Sequence, residues 1–353
     1  MRNLLTYTIF ALWAVAAVWV TALEFVRHDP NSVPAIVEES EVCDTKSATL
    51  LFVGDIMAHL PQVRAAQKGT DSYDFTPHLE GVRELLKGAD YAVGNLETTL
   101  SPRPPYSGYP AFATPEELAR DLRAVGFDAL ALANNHTADR GVGGVLATIA
   151  ALQNEGLDHF GVAVPTLMQG CAGAFVREIG GFRLGFVAAT YGANGPVPEG
   201  VELSRVDTVA LRRTIESVRS EVDYLFVLPH WGVEYARRPS AQQREMAQWL
   251  RSVGADFVVG SHPHVVQPWE AWQDEGGNIV GGVFYSLGNF ISNQNSPHTD
   301  RGMAVRIELR QEGEGGAAVN IATHEVVRKR GVGADGSLTY ELEIMGPEKR
   351  AEE

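Results

Sequence analysis

Cysteine is scarce in this chain of 353 residues, which contains only Cys43 and Cys171. The two residues are either unrelated thiols or, if the protein is exported, a disulfide pair, because disulfides persist in oxidising compartments. A bond would place their Cα atoms about 4.4–6.8 Å apart. It would also fasten the segment around Cys43 to the folded domain.

The chain also lacks an excess of positive charge, since its formal net charge is -15. A protein this acidic repels polyanions in bulk, which argues against nucleic acid as a partner. An anionic substrate would need a local cationic site, such as a metal ion. With 45% apolar and 21% charged residues, the composition is that of a globular protein.

Two common catalytic motifs are missing from the sequence, and no internal repeat is visible. No G-x-S-x-G elbow occurs, which makes Ser/His/Asp catalysis a poor fit. No G-x-x-x-x-G-K-[ST] loop occurs, so the sequence has no P-loop nucleotide site.

The only long uncharged apolar stretch lies at the N-terminus, from Leu4 to Leu23. About twenty such residues are enough to cross a bilayer as a helix, and this length favours a single-pass membrane anchor through residues 4–23. A cleaved signal peptide is the alternative, with Val20-Thr21-Ala22 as a weak cleavage site. Arg2 before the span predicts a cytoplasmic N-terminus. The domain would then be extracytoplasmic at the cell membrane or, after cleavage, secreted or periplasmic.

Four segments follow from the pattern: an anchor or signal peptide at 1–25, a linker at 26–47, a domain at 48–345 and a frayed tail at 346–353. Within the domain, predicted strands and helices alternate, which indicates an α/β fold. The spacing of Thr114 and Glu117 predicts a helix with a capping box. The last part of the domain, with "GMAVRIELR" and "AAVNIATHEVV", predicts antiparallel strands.

Polar side chains follow an apolar strand five times along the domain. They are Asp55, Glu97, Asn135 with His136, His230, and His262 with His264. The carboxyl ends of strands form the ligand crevice in α/β sheets, so these residues are predicted to converge. Carboxylate, amide and imidazole groups without thiolates suit divalent Mn, Fe, Zn or Co.

Six motifs give the sequence a family resemblance: "GDIM", "GNLET", "ALANNHTADRG", "HWGVEY", "GSHPHVVQ" and "YSLGNF". In this order they resemble the CapA-type proteins of capsule and poly-γ-glutamate biosynthesis, over about residues 50–290. That family is similar to calcineurin-like metallophosphoesterases. The resemblance therefore implies an αββα sandwich with a site for two divalent metal ions.

The resemblance also implies a role for each motif residue. Asp55 and His264 would bind the first metal, and His230 and His262 the second. Asn135 would be a ligand through its amide oxygen, and His136 the catalytic residue that contacts the phosphate and protonates the leaving group.

The sequence departs from the phosphoesterase pattern at three places. The phosphoesterase pattern has Asp-X-His at the first strand, whereas here no histidine stands two residues after Asp55. His59 is therefore an additional candidate ligand. Asn95 stands at the bridging position, where an amide supplies no negative charge, so Glu97 would replace it. Thr137 stands where an acid follows the Asn-His motif.

Two further residues carry weaker predictions. Asn289 in "SLGNF" resembles a family hallmark, and it either ties a loop or meets substrate. Arg140 is either a solvated loop charge or a contact for an anionic substrate.

Three functions are consistent with the sequence. The first is a membrane-anchored CapA-like protein of capsule or poly-γ-glutamate synthesis or export, with a phosphoesterase-type site acting on an anionic polymer or phosphoester. The second is a cell-surface metallophosphoesterase unrelated to capsule. The third is a non-catalytic assembly subunit that partners membrane synthase subunits.

Overall fold

The computed structural model describes residues 45–313, 315–334 and 336–351. The predicted membrane segment, nearly all of the linker and Cys43 lie outside these residues, so the disulfide and the anchor stay predictions. Among the described residues, no helix combines the length and the apolar character needed to cross a bilayer.

The first sheet runs in the order β19-β18-β17-β1-β2-β5-β6, with β16 also paired to β1. The parallel pairs are β1–β2, β2–β5, β5–β6 and β1–β16, whereas β17, β18 and β19 are antiparallel additions. The strands are β1 (Thr45–Ile56), β2 (Tyr91–Leu96), β5 (Ala129–Ala131), β6 (Asp158–Phe160), β16 (Asn289–Ile291), β17 (Arg301–Glu312), β18 (Ala318–Val332) and β19 (Leu338–Arg350).

The second sheet runs in the order β14-β15-β13-β12-β10-β9. Its central strands β10, β12, β13 and β15 are parallel, and β9 and β14 are antiparallel edges. The strands are β9 (Phe175–Ile179), β10 (Phe182–Thr190), β12 (Tyr224–His230), β13 (Phe257–Val259), β14 (Trp269–Gln273) and β15 (Ile279–Phe284).

Seven α-helices and two small sheets complete the described residues. The helices are α1 (Leu60–Ala66), α2 (Thr76–Leu79), α3 (Arg83–Lys87), α4 (Glu117–Val125), α5 (Gly141–Asn154), α6 (Thr208–Val218) and α7 (Ala241–Ser252). Short 3₁₀ turns occupy Glu80–Val82, Pro165–Leu167 and Arg219–Glu221. The small sheets pair β3 (Leu100–Ser101) with β4 (Thr114–Pro115), and β7 (Val162–Val164) with β8 (Gln169–Cys171) and β11 (Glu202–Leu203).

The two large sheets pack face to face over an aromatic core. Phe226 stacks on Phe52, Phe186 and Phe257, with ring centroids 5.2, 5.4 and 5.0 Å apart. A second core joins the first sheet to α1–α5, and a third joins the second sheet to α6 and α7. The layers therefore follow the order helix, sheet, sheet, helix, and the predicted mixed α/β fold is confirmed.

The element boundaries correct three predictions. Thr114 lies in β4 rather than at a helix N-cap, and α4 begins after Glu116 without a side-chain cap. The predicted linker ends three residues early, because β1 begins at Thr45 and pairs with β17. The predicted tail is structured as far as Arg350, because β19 stays hydrogen-bonded to β18 through Lys349 and Arg350.

Candidate metal centre

The predicted ligands lie at the carboxyl ends of strands from both sheets, and all are buried. Asp55 is at the end of β1, Glu97 directly follows β2, and Asn135 follows β5. His230 ends β12, and His262 and His264 follow β13. Because the two sheets face each other with these ends together, one cluster receives ligands from both.

Short contacts confirm that the six predicted ligands converge. On one side of the cluster, His264 Nδ1 lies 3.0 Å from Asp55 Oδ2, and His264 Nε2 lies 3.9 Å from Glu97 Oε1. On the other side, His230 Nε2 lies 3.5 Å from Glu97 Oε1 and 2.7 Å from Asn135 Oδ1. The rings of His230 and His262 are 4.7 Å apart between centroids.

Three groups of side chains bring ligand atoms within 4.8 Å of one another. They are Asp55 with Glu97 and His264, Glu97 with His230 and His262, and Glu234 with His262 and His264. The first two groups share Glu97, whose carboxylate could bridge two ions. Glu234 is exposed and was not predicted from the sequence.

Several ligand atoms are buried without a hydrogen-bond partner among the described residues. They are Glu97 Oε1, Glu97 Oε2 and His262 Nδ1. A buried carboxylate without partners is costly, because its desolvation is not compensated. A cation bound between these atoms would supply the partner that the described residues do not.

The pKa values of the two buried carboxyl groups are also shifted from their usual range. Burial raises the pKa of Glu97 well above its usual range, and the nearby charge of Asp55 adds to this effect. Burial also acts to raise the pKa of Asp55, but the hydrogen bond and charge of His264 outweigh it and lower the value. The pKa values of these two neighbouring carboxyl groups are thus shifted in opposite directions.

The pKa values of the histidines are likewise shifted in opposite directions. Burial lowers the pKa of His230 to about 3 and that of His262 to about 2. Burial opposes protonation of His264 too, but the charge of Glu97 and the hydrogen bond to Asp55 raise its pKa to about 9. His230 and His262 are consequently neutral at pH 7, which is the form that binds metal.

The loop after β13 holds its histidines in an unusual backbone conformation. His262 has φ = 98° and His264 has φ = 59°, in a region that few residues other than glycine adopt. The carbonyl of the intervening Pro263 accepts a hydrogen bond of 2.7 Å from the backbone N–H of Tyr235. Strain of this kind is retained where the site requires it.

His136 is placed beside the cluster by partners that the motif pattern did not reveal. Its Nδ1 lies 2.7 Å from Asp139 Oδ2, and the backbone N–H of Phe112 donates to the same oxygen at 2.7 Å. The ring of Phe112 packs edge-on against His136 at 4.7 Å. Asp139, three residues after His136, therefore supplies the acid that is missing at Thr137.

Two other polar residues at the site were missed from the sequence. Ser261 Oγ lies 2.9 Å from His230 Nδ1 and orients that ring. Asn194 approaches His136 at 3.2 Å and accepts a hydrogen bond of 3.1 Å from the side chain of Asn135. Ser261 could have been found because it directly precedes His262, but nothing in the sequence marked Asn194.

The additional candidate ligands make protein contacts instead. His59 Nδ1 lies 3.2 Å from the Met57 carbonyl and 3.2 Å from the backbone nitrogen of Asn293, and His59 belongs to none of the three groups. Asn95 donates to Asp55 Oδ1 at 2.8 Å, while its Oδ1 accepts from Asn134 at 3.2 Å. Asn95 thus orients a ligand.

Arg140 and Asn289 both tie loops together. Arg140 donates to Ser107 Oγ and to the carbonyls of Ala111 and Phe112, so it fixes the loop that supports His136 and is not a solvated charge. Asn289 Nδ2 donates at 3.0 Å to Gln294 Oε1 and at 3.0 Å to the Thr299 carbonyl. Its position opposite Asp55 in the β1–β16 pairing keeps the loop close to the cluster.

Comparison with known proteins places these features in a family. Residues 49–294 match the family described as "Bacterial capsule synthesis protein PGA_cap". The "Capsule biosynthesis protein CapA" of Bacillus anthracis is 32% identical over 321 residues, which cover 86% of this chain and 72% of that protein. The "PGA biosynthesis protein CapA" of Bacillus subtilis (strain 168) is 29% identical over 316 residues, covering 86% of this chain and 77% of the relative. The chain belongs to this bacterial capsule synthesis family.

Among solved structures, the chain is similar to a Staphylococcus aureus protein with a provisional 5′-nucleotidase assignment. The TM-score is 0.49 and the sequence identity 13%, over 85% of this chain. The match spans 54% of the other chain, so this chain corresponds to about half of its length. A similarity this low does not bear on function.

Proposed function

We propose that this protein acts in the synthesis or export of a capsule or poly-γ-glutamate polymer, through a phosphoesterase-type site that holds two divalent metal ions. The family membership supports the first part. One observation carries the second: the Glu97 carboxylate is buried without a hydrogen-bond partner and is shared by two ligand groups. The order of layers agrees with the αββα sandwich of calcineurin-like phosphoesterases.

The residues would divide between the two ions as the contacts divide them. Asp55 and His264 would hold one, His230 and His262 would hold the other with the Asn135 amide oxygen, and Glu97 would join both. All are oxygen or imidazole ligands, which suits Mn, Fe, Zn or Co. When bound, such ions polarise a phosphoryl oxygen and make water a nucleophile at neutral pH.

The remaining chemistry falls to His136. With Nδ1 engaged by Asp139 at 2.7 Å, its Nε2 is the nitrogen that can carry a proton to a substrate oxygen. Phe112 and the loop held by Arg140 keep the ring in place. His136 would therefore protonate the leaving group, and Asp139 would fix its orientation.

The location of the protein is part of the proposal. Residues 4–23 would anchor it in the cell membrane, with the domain outside the cytoplasm beside membrane synthase subunits. In that position the substrate would be the anionic polymer or a phosphoester linked to its synthesis. The metal ions would offset the repulsion expected from an acidic protein.

Metal content and phosphoester hydrolysis, measured on the same purified protein, test the proposal. We expect bound divalent metal and hydrolysis of an aryl phosphate in the wild type. Glu97→Gln should lose most of both, because it removes the shared charge. The matched control is His159→Gln, which alters a histidine outside all three ligand groups and should leave both unchanged.

Two outcomes would count against the proposal in different ways. Absence of metal from the wild type would refute the metal centre. Stable metal binding without hydrolysis of any phosphoester would instead favour the non-catalytic assembly subunit. Asn95, an amide at the bridging position, is the residue that makes this second outcome chemically reasonable.

A further inference from the structure

A cavity of about 460 Å³ is lined in part by residues that closely follow the candidate metal centre in the chain. Its wall includes Val266, two residues after His264, and Arg237, two residues after Tyr235. Tyr235 packs against His264, with ring centroids 6.1 Å apart. The chain therefore passes from the cluster to the cavity wall within two residues of His264.

Basic side chains are concentrated in this cavity although the protein is acidic overall. Its lining includes the cations Arg237, Arg301 and Lys349, and a single carboxylate, Glu325. Arg301 is paired with Glu325 at 2.6 Å. The side chains of Arg237 and Lys349 make no hydrogen bond or ion pair with any residue that the structure describes, so their charges are available to a ligand.

Two histidines add polar groups to the same wall, His298 and His324. His324 Nε2 lies 3.3 Å from Glu348 Oε2. The angles do not make a hydrogen bond, and this buried nitrogen has no other partner among the described residues.

The size of the cavity favours an extended ligand over a small one, because a volume of about 460 Å³ is far larger than a single phosphate ion. The three cations come from different elements: Arg237 from the loop after β12, Arg301 from β17 and Lys349 from β19. Val266, Met303 and Met345 add apolar side chains to the same lining. A lining that contains both cationic and apolar side chains matches a chain of methylene groups that carries a carboxylate at each repeat.

We propose that this cavity binds several repeats of a polycarboxylate polymer and holds the chain beside the metal centre. The choice of polymer rests on the proposed function in capsule or poly-γ-glutamate synthesis. The binding itself needs no metal, because its cations are side chains of the protein. The site therefore gives the acidic protein a specific attraction for a polymer that its overall charge would repel.

The test measures binding of a fluorescently labelled poly-γ-glutamate oligomer to the full-length chain in neutral detergent, with chelator present. We expect saturable binding at low salt that weakens as salt is added, because the contacts are ionic. Arg237→Gln with Lys349→Gln should raise Kd by about tenfold, if each lost charge contact is worth roughly 0.7 kcal/mol. Folding should be unaffected, since both side chains are exposed.

The matched control makes the same charge change elsewhere. Arg103→Gln with Arg213→Gln removes two exposed cations that do not line the cavity, and Kd should stay within about twofold of the wild-type value. A tenfold rise in this control as well would overturn the proposal, because bulk charge would then explain binding. Competition by inorganic phosphate at the same charge concentration as the polymer would also overturn it, in favour of a small-anion site.

Failure of this proposal can be distinguished from failure of the proposed function. No binding by the wild type at low salt would refute the cavity as a polymer site but leave metal content and hydrolysis untouched. Binding with no metal in the protein would support the cavity and count against the metal centre.

Discussion

At the scale of single residues, the His136–Asp139 pair shows how the chain compensates for a departure from the motif. Thr137 stands where the pattern expects an acid, but the Thr137–Asp139 turn brings a carboxylate to His136 Nδ1 from three residues away. The same Asp139 oxygen accepts the backbone N–H of Phe112, which fixes the carboxylate in turn. Asp139 therefore orients the imidazole, and the backbone of Phe112 orients Asp139.

If the protein hydrolyses phosphoesters, His136→Ala should lower turnover on a substrate with a poor leaving group by about 10²–10⁴-fold, because general-acid help is lost. Bound metal should stay nearly unchanged, and the loss should shrink with nitrophenyl phosphate, whose leaving group needs no proton. Asp139→Asn should show the same leaving-group dependence with a smaller loss. Steady-state kinetics measure the turnover, and elemental analysis measures the bound metal.

The comparison variant for this division of labour is Asn135→Ala. The amide oxygen of Asn135 lies 2.7 Å from His230 Nε2, so this variant should deplete metal and reduce activity on both substrates. Equal metal loss in the Asn135 and His136 variants would contradict the assignment. Full activity of His136→Ala on the poor leaving group would contradict it as well.

The convergence of the six candidate ligands could be predicted because residue type and position at strand ends are visible in the sequence. Asp55, Glu97, Asn135, His230, His262 and His264 were found in this way, and the structure brings them together. Asp139 and Asn194 act through hydrogen bonds that depend on how loops fold back. Asn194 is 58 residues from His136, and no local pattern encodes such a contact.

At the scale of elements, the loop after β13 holds a candidate ligand in a strained backbone conformation. His262 has φ = 98°, and a side chain with a Cβ is disfavoured there. Glycine adopts this conformation without that penalty. At this position the backbone conformation is therefore less favourable for histidine than it would be for glycine.

His262→Gly should accordingly be more stable than His262→Ala in metal-free protein, by about 1 kcal/mol. Both variants lose the ring, so their difference isolates the backbone. Urea unfolding in chelator provides the measurement. Ser261 is the control, because its φ is not positive and its glycine variant should be less stable than its alanine variant by about 0.5–1 kcal/mol. The same order at both positions would argue against strain at His262.

A second element-scale feature is His78 in α2, which is buried against β19. Its ring lies 5.5 Å from that of Tyr340, and its Nδ1 has no hydrogen-bond partner among the described residues. Burial, with a smaller contribution from Lys68, lowers the pKa of His78 to about 4. Because the unfolded chain takes up this proton near pH 6.5 and the folded chain does not, stability is lost as pH falls from about 6.5 to 4.

His78→Gln should remove this dependence. Between pH 6 and pH 5, the wild type should lose up to about 1.4 kcal/mol more unfolding free energy per pH unit than the variant. Above about pH 7.5 the two curves should run parallel, whatever their offset, which serves as the internal control. Urea unfolding in chelator across this range is the measurement, and parallel curves throughout would show that His78 titrates normally.

Element prediction succeeded where the pattern was local. The helix over Gly141–Asn154 and the late antiparallel strands β17 and β18 follow their sequence signals. Strand β10, which lies beside the edge strand β9 in the second sheet, and strand β19 were not predicted. β19 is largely exposed and exists because β18 offers a long edge to pair with, a tertiary cause that residue types do not display.

At the scale of the whole molecule, the candidate metal centre joins the two sheets. Asp55 and Glu97 come from the first sheet, and His230, His262 and His264 from the second. The two sides are linked by contacts such as His264 with Asp55, while Glu97 has no hydrogen-bond partner among the described residues. Bound ions would replace this poor match with bonds that span the interface between the sheets.

Metal should therefore stabilise the entire domain. At a free-ion concentration about 100 times Kd, one site adds about 2.7 kcal/mol to the unfolding free energy, because the ion binds only the folded state. Thermal or urea unfolding with Mn²⁺ or with chelator measures this increment. Asp55→Asn removes a ligand of the first ion and His262→Gln one of the second, so each should abolish the part of the increment that its ion supplies. His159→Gln, which changes a residue outside the cluster, should keep the increment in full. An undiminished increment in both ligand variants would place the stabilising ion elsewhere. A reduced increment in only one of them would contradict a centre in which both ions stabilise the fold.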